Sequence, residues 1–133
     1  MMKTYKTKVE FYDVDSMNVV WHGNYVKFIE KARCEFLQDL GYDYEMMKKE
    51  GFAYPVAKMD LKFIKPLFFK DEIEIKVKLL QIDGFLKLKY EIFNKNAKKV
   101  CVATTSQVCV DIKSMQSVYE APKTLRELVK GIL

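Results

Sequence analysis

Apolar and polar residues alternate at the start of the chain, where Tyr5, Thr7, Val9 and Phe11 are set against Lys6, Lys8 and Glu10. A period of two predicts a half-buried strand. The period then lengthens. Tyr25, Phe28, Ile29, Ala32, Phe36 and Leu40 fall at three- and four-residue spacings, with Lys27, Lys31, Glu35 and Gln38 off that stripe, which predicts an amphipathic helix stopped at Gly41. Asp43 to Glu50 predicts a short second helix with Met46 and Met47 inward and Gly51 at its end. A series of strands follows. Val56 to Ile64 puts Met59, Leu61 and Phe63 on one face, and after Pro66 the segment Glu72 to Leu80 alternates Ile73, Ile75, Val77 and Leu79 with charges. Asp83-Gly84 is a hairpin turn into a return strand from Phe85 to Phe93. Asn94-Lys95-Asn96 turns again into a valine- and threonine-rich run from Lys99 to Ile112, whose length suits a central strand. The tail from Ala121 to Leu128 predicts a short helix with Pro122 near its start.

The pattern is therefore strand, long helix, then four antiparallel strands. With 133 residues and no internal repeat, linker or low-complexity tract, residues 1–133 are expected to form a single domain. No apolar run reaches bilayer-spanning length and the start lacks an apolar signal core, so no membrane span is expected and the cytoplasm is the default compartment. Cys34, Cys101 and Cys109 are odd in number and lack metal-type spacing, which predicts reduced thiols. A single histidine supports zinc poorly, although Asp13, Asp15 and His22 could in principle share a hard cation; no metal is expected. The net charge of +5 invites a nucleic-acid reading. The lysines at 62 and 65, 76 and 78, and 87 and 89 mostly alternate with apolar residues, as on the wet face of a sheet, and no nucleic-acid motif accompanies them. No nucleic-acid partner is expected; attraction of an anionic ligand comes second to simple solvation.

The unusual chemistry is concentrated between Tyr12 and Arg33. Two acids, the only histidine and the only tryptophan crowd into the turn before the long helix. A helix N-terminus offers unpaired N–H groups and the positive end of a dipole, which can serve a developing negative charge. From spacing alone, Asp15 reads better as a turn or cap residue and Trp21 and Tyr25 as core, Gly23 reads as an easy turn, and for His22 a structural hydrogen-bonding role has about equal weight with a functional one.

The run Asp15 through His22, followed by Asn24-Tyr25 and by Glu30, Ala32 and Arg33, resembles the signature of the hot-dog acyl-CoA thioesterases of the 4-hydroxybenzoyl-CoA thioesterase type. The order of the later strands fits as well, so the resemblance spans nearly the whole chain. It implies an α+β hot-dog fold, an antiparallel five-stranded sheet wrapped around one long central helix. Dimers or tetramers with active sites at the dimer interface are implied too, consistent with an open sheet edge that a second copy would protect. By the resemblance Asp15 stands at the catalytic aspartate's position, as base or nucleophile. His22 would polarise the thioester carbonyl or position water, while backbone N–H groups of Trp21, His22 or Gly23 form the oxyanion site. Gly23 would admit the substrate close to the backbone, Trp21 and Tyr25 would line the acyl pocket, and Lys62 and Lys65 are candidates for the phosphates of coenzyme A. Neither metal nor redox cofactor is implied, coenzyme A being part of the substrate. Glu30 and Arg33 fit a structural ion pair or an interface role.

Two positions depart from the pattern. Asn18 replaces a glycine, and asparagine is the best substitute at a left-handed backbone position. Phe11 stands where relatives often carry a tyrosine four residues before the aspartate; Tyr12, one residue on, points to the opposite face of a strand. Other expectations therefore stay open: a hot-dog dehydratase or hydratase acting on acyl carrier protein substrates, or a non-catalytic acyl-binding protein.

Overall fold

The computed structural model describes residues 2–132. Five strands, β1 (Met2–Lys8), β3 (Val56–Phe63), β4 (Glu72–Gln81), β5 (Leu86–Phe93) and β6 (Lys99–Gln107), form one antiparallel sheet in the order β1-β4-β5-β6-β3. A separate two-stranded ribbon joins β2 (Phe52–Ala53) to β7 (Val110–Asp111). Helix α1 (Asn24–Leu40) packs against β4 and β1, while α2 (Tyr44–Lys49) and α3 (Lys123–Leu128) lie outside that contact. The architecture is α+β.

The alternation read from the sequence decides which sheet face is covered. Ile73, Ile75, Val77 and Leu79 of β4 and Leu86, Leu88, Tyr90 and Ile92 of β5 are buried, and they meet Tyr25, Phe28, Ile29, Ala32, Phe36 and Leu40 of α1 in one core. Each of the valine, leucine, isoleucine and phenylalanine side chains contributes about 1.5–3 kcal/mol on burial. Gly41 ends α1 at φ 92°, a left-handed position where glycine pays no Cβ penalty. Asp43 caps α2 by accepting the Met46 amide, and Met47 is buried beneath it. Pro122 precedes α3.

Two expectations are corrected. The first strand does not run on to Phe11: it ends at Lys8, and Phe11–Asp13 form a 3-10 turn. The Asp13 carboxylate reaches back to the Glu10 amide, a local bond that replaces the sheet ladder, and Phe11 is left 75% exposed. The run from Lys99 to Ile112 is likewise not one strand. At Gln107 it reaches Val56 and Leu86, the first residues of both neighbouring strands, so its ladder partners end there. The chain then turns, with the Val108 amide bonding the Pro55 carbonyl, and pairs as β7 with β2.

β3 is an edge strand, bonded only to β6. A bulge between Val56 and Lys58 keeps Val56 on the inner face with Met59, Leu61 and Phe63. Because α1 sits toward the other edge, this apolar face stays half open: Val56 is 41% and Phe63 50% exposed.

Candidate active site

The turn that precedes α1 is a small hairpin closed by a bridge between Val14 and Val20. Its tip is held by Asp15, whose amide donates to the Val19 carbonyl at 2.9 Å and whose carbonyl accepts from Asn18 at 3.0 Å. Asn18 takes φ 64°, the left-handed position expected of it. The Asp15 side chain is exposed, and its Oδ1 accepts the amides of Met17 at 2.8 Å and Val19 at 3.3 Å. Its Oδ2 accepts nothing from the described residues. One oxygen therefore fixes the carboxylate and the other is unengaged.

Asp13 has the opposite environment. The 3-10 turn breaks the alternation that would have put both acids on one side, and Asp13 is only 2% exposed. Its carboxylate accepts the Glu10 amide at 2.9 Å and the Lys27 ammonium at 2.8 Å. Its carbonyl accepts the Trp21 amide at 3.1 Å and Asn24 Nδ2 at 2.7 Å. Strand end, hairpin and first turn of α1 are thus tied together through one residue.

Of the three amides considered for an oxyanion, that of Trp21 is committed to Asp13. The amides of His22 and Gly23 donate to no group among the described residues, and Gly23, at the N-cap, brings no capping side chain. These two N–H groups, with the helix dipole behind them, are the free donors. The space above Gly23 is taken by the Trp21 indole, which a Cβ would meet at 2.2 Å. The glycine here admits a tryptophan ring against the backbone.

Around these amides the structure gathers aromatic rings. His22 lies 5.1 Å from the Trp21 ring and 6.3 Å from Phe63, and Phe63 stands edge-on to Tyr25 at 5.1 Å. Tyr25 is buried, and that burial pushes its phenol up to about 12. Trp21 is 55% exposed. Phe63 was legible only as an inward-facing strand residue; nothing in the sequence says that the end of β3 arrives beside His22. Asp15 and His22 share the hairpin–helix junction but no hydrogen bond joins them.

The lysines stand apart. Lys62 alternates with Leu61 and Phe63 and so belongs to the outer sheet face, beside Val102. Lys65 follows the strand, its amide on the Val100 carbonyl at 3.2 Å. Phe11 packs edge-on against Phe69 at 5.7 Å, and Tyr12 lies under the Lys27 ammonium at 5.0 Å. No aromatic hydroxyl from this pair hydrogen-bonds Asp15. Arg33 is 3% exposed, ion-paired with Glu30 and donating to the Tyr44 hydroxyl at 2.9 Å, a structural arrangement. Cys34 is half-buried, Cys109 buried, and burial pushes the buried Cys101 thiol up to about 11, which disfavours thiolate chemistry. Among the described residues no three His, Cys, Asp or Glu side chains converge on a metal-sized site.

Residues 9–129 match the thioesterase-like superfamily. The chain is 30% identical over 110 residues to the acyl-CoA thioester hydrolase YbgC of Escherichia coli O6:H1 (strain CFT073), which covers 82% of each protein. It is 30% identical over 117 residues to the 1,4-dihydroxy-2-naphthoyl-CoA hydrolase of Crocosphaera subtropica, covering 85% of each. The solved structure of a DHNA-CoA thioesterase from Staphylococcus aureus superposes with a TM-score of 0.88 at 22% identity, over 98% of this chain and 90% of that one, a likeness of fold. With the match running from the end of β1 through α3, the chain belongs to the thioesterase-like superfamily.

Proposed function

We propose that the protein hydrolyses acyl-CoA thioesters, R–CO–S–CoA and water giving the acid and the free thiol. The observation that carries the reading is the division of labour in the Asp15 carboxylate: Oδ1 held by two backbone amides, Oδ2 unengaged, on the hairpin that leads directly into the free amides of His22 and Gly23. Oδ2 either attacks the thioester carbon or removes a proton from the attacking water. The negative charge on the carbonyl oxygen is taken up by the His22 and Gly23 N–H groups, which donate to no other group among the described residues. Collapse expels the thiolate, which takes up a proton to become the free thiol; where Oδ2 has attacked, water then hydrolyses the Asp15–acyl anhydride to release the acid and restore the carboxylate. His22, beside Trp21 and Phe63, positions the carbonyl, and Trp21 with Tyr25 flanks the start of the acyl path.

The same reading gives the hot-dog arrangement, with the sheet curling about α1, and a homodimer or homotetramer in which a second copy covers the open edge of β3 and completes the site. Coenzyme A enters as part of the substrate, with Lys65 and Lys62 as outlying cations for its phosphates and without a metal or redox cofactor; acyl carrier protein is a second possible donor of the thioester. Residues 1–133 act as one catalytic domain in the cytoplasm. No helix among the described residues is long and apolar enough to cross a membrane.

The test is thiol release from a panel of short, long and aromatic acyl-CoA thioesters by the parent and Asp15→Asn proteins. Asparagine keeps an oxygen for the Met17 and Val19 amides, so the hairpin survives while the reacting oxygen is lost. A fall in kcat of about 100-fold or more is expected, the scale of a lost general base or nucleophile. Equal rates would remove Asp15 from the mechanism.

A further inference from the structure

The open edge of β3 ends beside the candidate site. The Ile64 amide bonds the Val100 carbonyl next to β6, so along this ladder the backbone groups of even-numbered residues face β6. Those of Met59, Leu61 and Phe63 face the open edge. On the inner sheet face the same three side chains are incompletely covered, Met59 and Leu61 being half-buried and Phe63 exposed. On the outer face Lys58 pairs with Asp60 at 3.6 Å, while Lys62 pairs with no carboxylate among the described residues. Backbone donors and acceptors bared at an apolar edge are what a matching strand satisfies.

A second copy of β3 fits this edge, and the charges select its register. Under a two-fold axis the strands run antiparallel and outward-facing residues meet outward-facing residues, so the axis passes through one residue position. An axis at Asp60 sets Asp60 against itself and Lys58 against Lys62, and an axis at Lys62 sets that lysine against itself; like charges directly opposite are destabilising. An axis at Met59 draws in the bulged segment and places Phe63 opposite Pro55, which has no N–H to give. An axis at Leu61 uses only the regular residues Met59 to Phe63. Asp60 of each copy then faces Lys62 of the other, Leu61 meets its equivalent, and Met59 lies against Phe63 of the other copy. That last contact reaches the site, because Phe63 stands 5.1 Å from Tyr25 and 6.3 Å from His22. We propose that Met59 of a second copy forms the far wall of the acyl path and limits the chain length the site accepts, delivered by β3 strands paired about Leu61. In this pair Lys62 is engaged by Asp60, which leaves Lys65 as the cation for the coenzyme A phosphates. The pairing stands without the thioesterase reading; the role of Met59 rests on it.

Oxidative cross-linking reads the register. Residues facing each other at the axis have Cα atoms about 5.5 Å apart, within disulfide reach. Leu61→Cys is therefore expected to form a covalent dimer, while Met59→Cys, Asp60→Cys, Lys62→Cys and the parent with its native thiols are not. Cross-linking at another of these positions, or at none, overturns the register. Charge reversal reads the pairing. Asp60→Lys and Lys62→Asp each set like charges face to face, and each should raise the dimer dissociation constant about tenfold or more in sedimentation velocity at low salt. Mixed, the two variants restore both opposite-charge contacts and should dimerise like the parent; a mixture that dissociates as readily as either alone overturns the pairing. Adding Asp15→Asn to the first variant and Met59→Trp to the second leaves the mixed dimer one site with both Asp15 and a facing Met59. Thiol release from decanoyl-CoA should then recover to about half the parent rate, from under about a tenth for either protein alone. No recovery overturns the role of Met59 in the second copy's site. Circular dichroism guards each variant against misfolding. If the parent releases no thiol, the thioesterase reading fails and takes the role of Met59 with it, while the cross-link and the mixed dimer still decide the pairing.

Discussion

Removing the Asp13 carboxylate should loosen the whole approach to α1, and the structure lets the cost be divided. In Asp13→Ala the Glu10 amide loses its acceptor, which sits in a site 2% exposed, and the Lys27 ammonium loses its partner. A hydrogen bond to a charged acceptor is worth about 1.5–3 kcal/mol. Lys27 is a smaller matter. Its side chain is 56% exposed and returns to water, so the ion pair itself adds at most about 1 kcal/mol. A total near 2–3 kcal/mol follows. Unfolding entropy of about 2.1 cal/mol/K per residue gives about 280 cal/mol/K for the chain, so the expected fall in Tm is about 7–10 °C. Asp13→Asn keeps an oxygen for the Glu10 amide and loses only the ion pair; its Tm should fall by about 3–4 °C. Scanning calorimetry on both proteins decides the matter. A fall of under about 2 °C in both would deny that Asp13 anchors the turn, and equal falls would mean that the ion pair, not the backbone bond, dominates.

Other positions give independent checks. Asn18→Gly should leave the urea midpoint nearly unchanged because φ 64° suits glycine, whereas Asn18→Val should cost about 1–2 kcal/mol at the same backbone angle. Burial raises the phenols of Tyr25 and Tyr90 from about 10 to about 12 in the folded protein. The folded state thus holds those protons more tightly, and the stability they confer is complete below pH 10 and lost as pH rises toward 12; urea midpoints at pH 9 and 11.5 should show the drop, and Tyr25→Phe should lessen it. Glu91 is held below the usual carboxylate range by its hydrogen bond to Lys99, 2.6 Å away. Its contribution is present above the ordinary glutamate pKa and disappears as pH falls through the lowered folded value, so Lys99→Ala should flatten the acid limb of the stability curve.

The parts of the site that were legible in the sequence are those made by local bonds. Asp15 accepts amides two and four residues on, Asn18 takes the left-handed angle its side chain tolerates, and the apolar stripe of α1 repeats within a few turns. Each is decided by neighbours in the chain, so a pattern of residue types suffices to find it. The 3-10 turn at Phe11–Asp13 is local too, but its signal was masked: Glu10 and Asp13 form a capping box of an unusual acidic kind, inside a segment whose alternation reads as strand. Alternation is a statement about side chains, and here a backbone bond won.

What stayed hidden arrives from far along the chain. Glu30 and Arg33, three apart on a helix, read as a structural ion pair or an interface contact, but nothing in that spacing says that Arg33 is buried and donates to the Tyr44 hydroxyl of α2, which also accepts from Gln107 of β6. Phe63 comes to His22 only because β3 pairs with β6 as the sheet's outer strand, which leaves its last residues beside the start of α1. The same topology explains why the proposed reacting groups can be so lightly supported. Asp15 sits on a hairpin fixed by its own short bonds and pinned to the core through Asp13, so the long-range fold has only to deliver walls around it. A change of substrate should then be achieved by altering the walls, Phe63 and the inner face of β3, with Asp15 and the two free amides left in place.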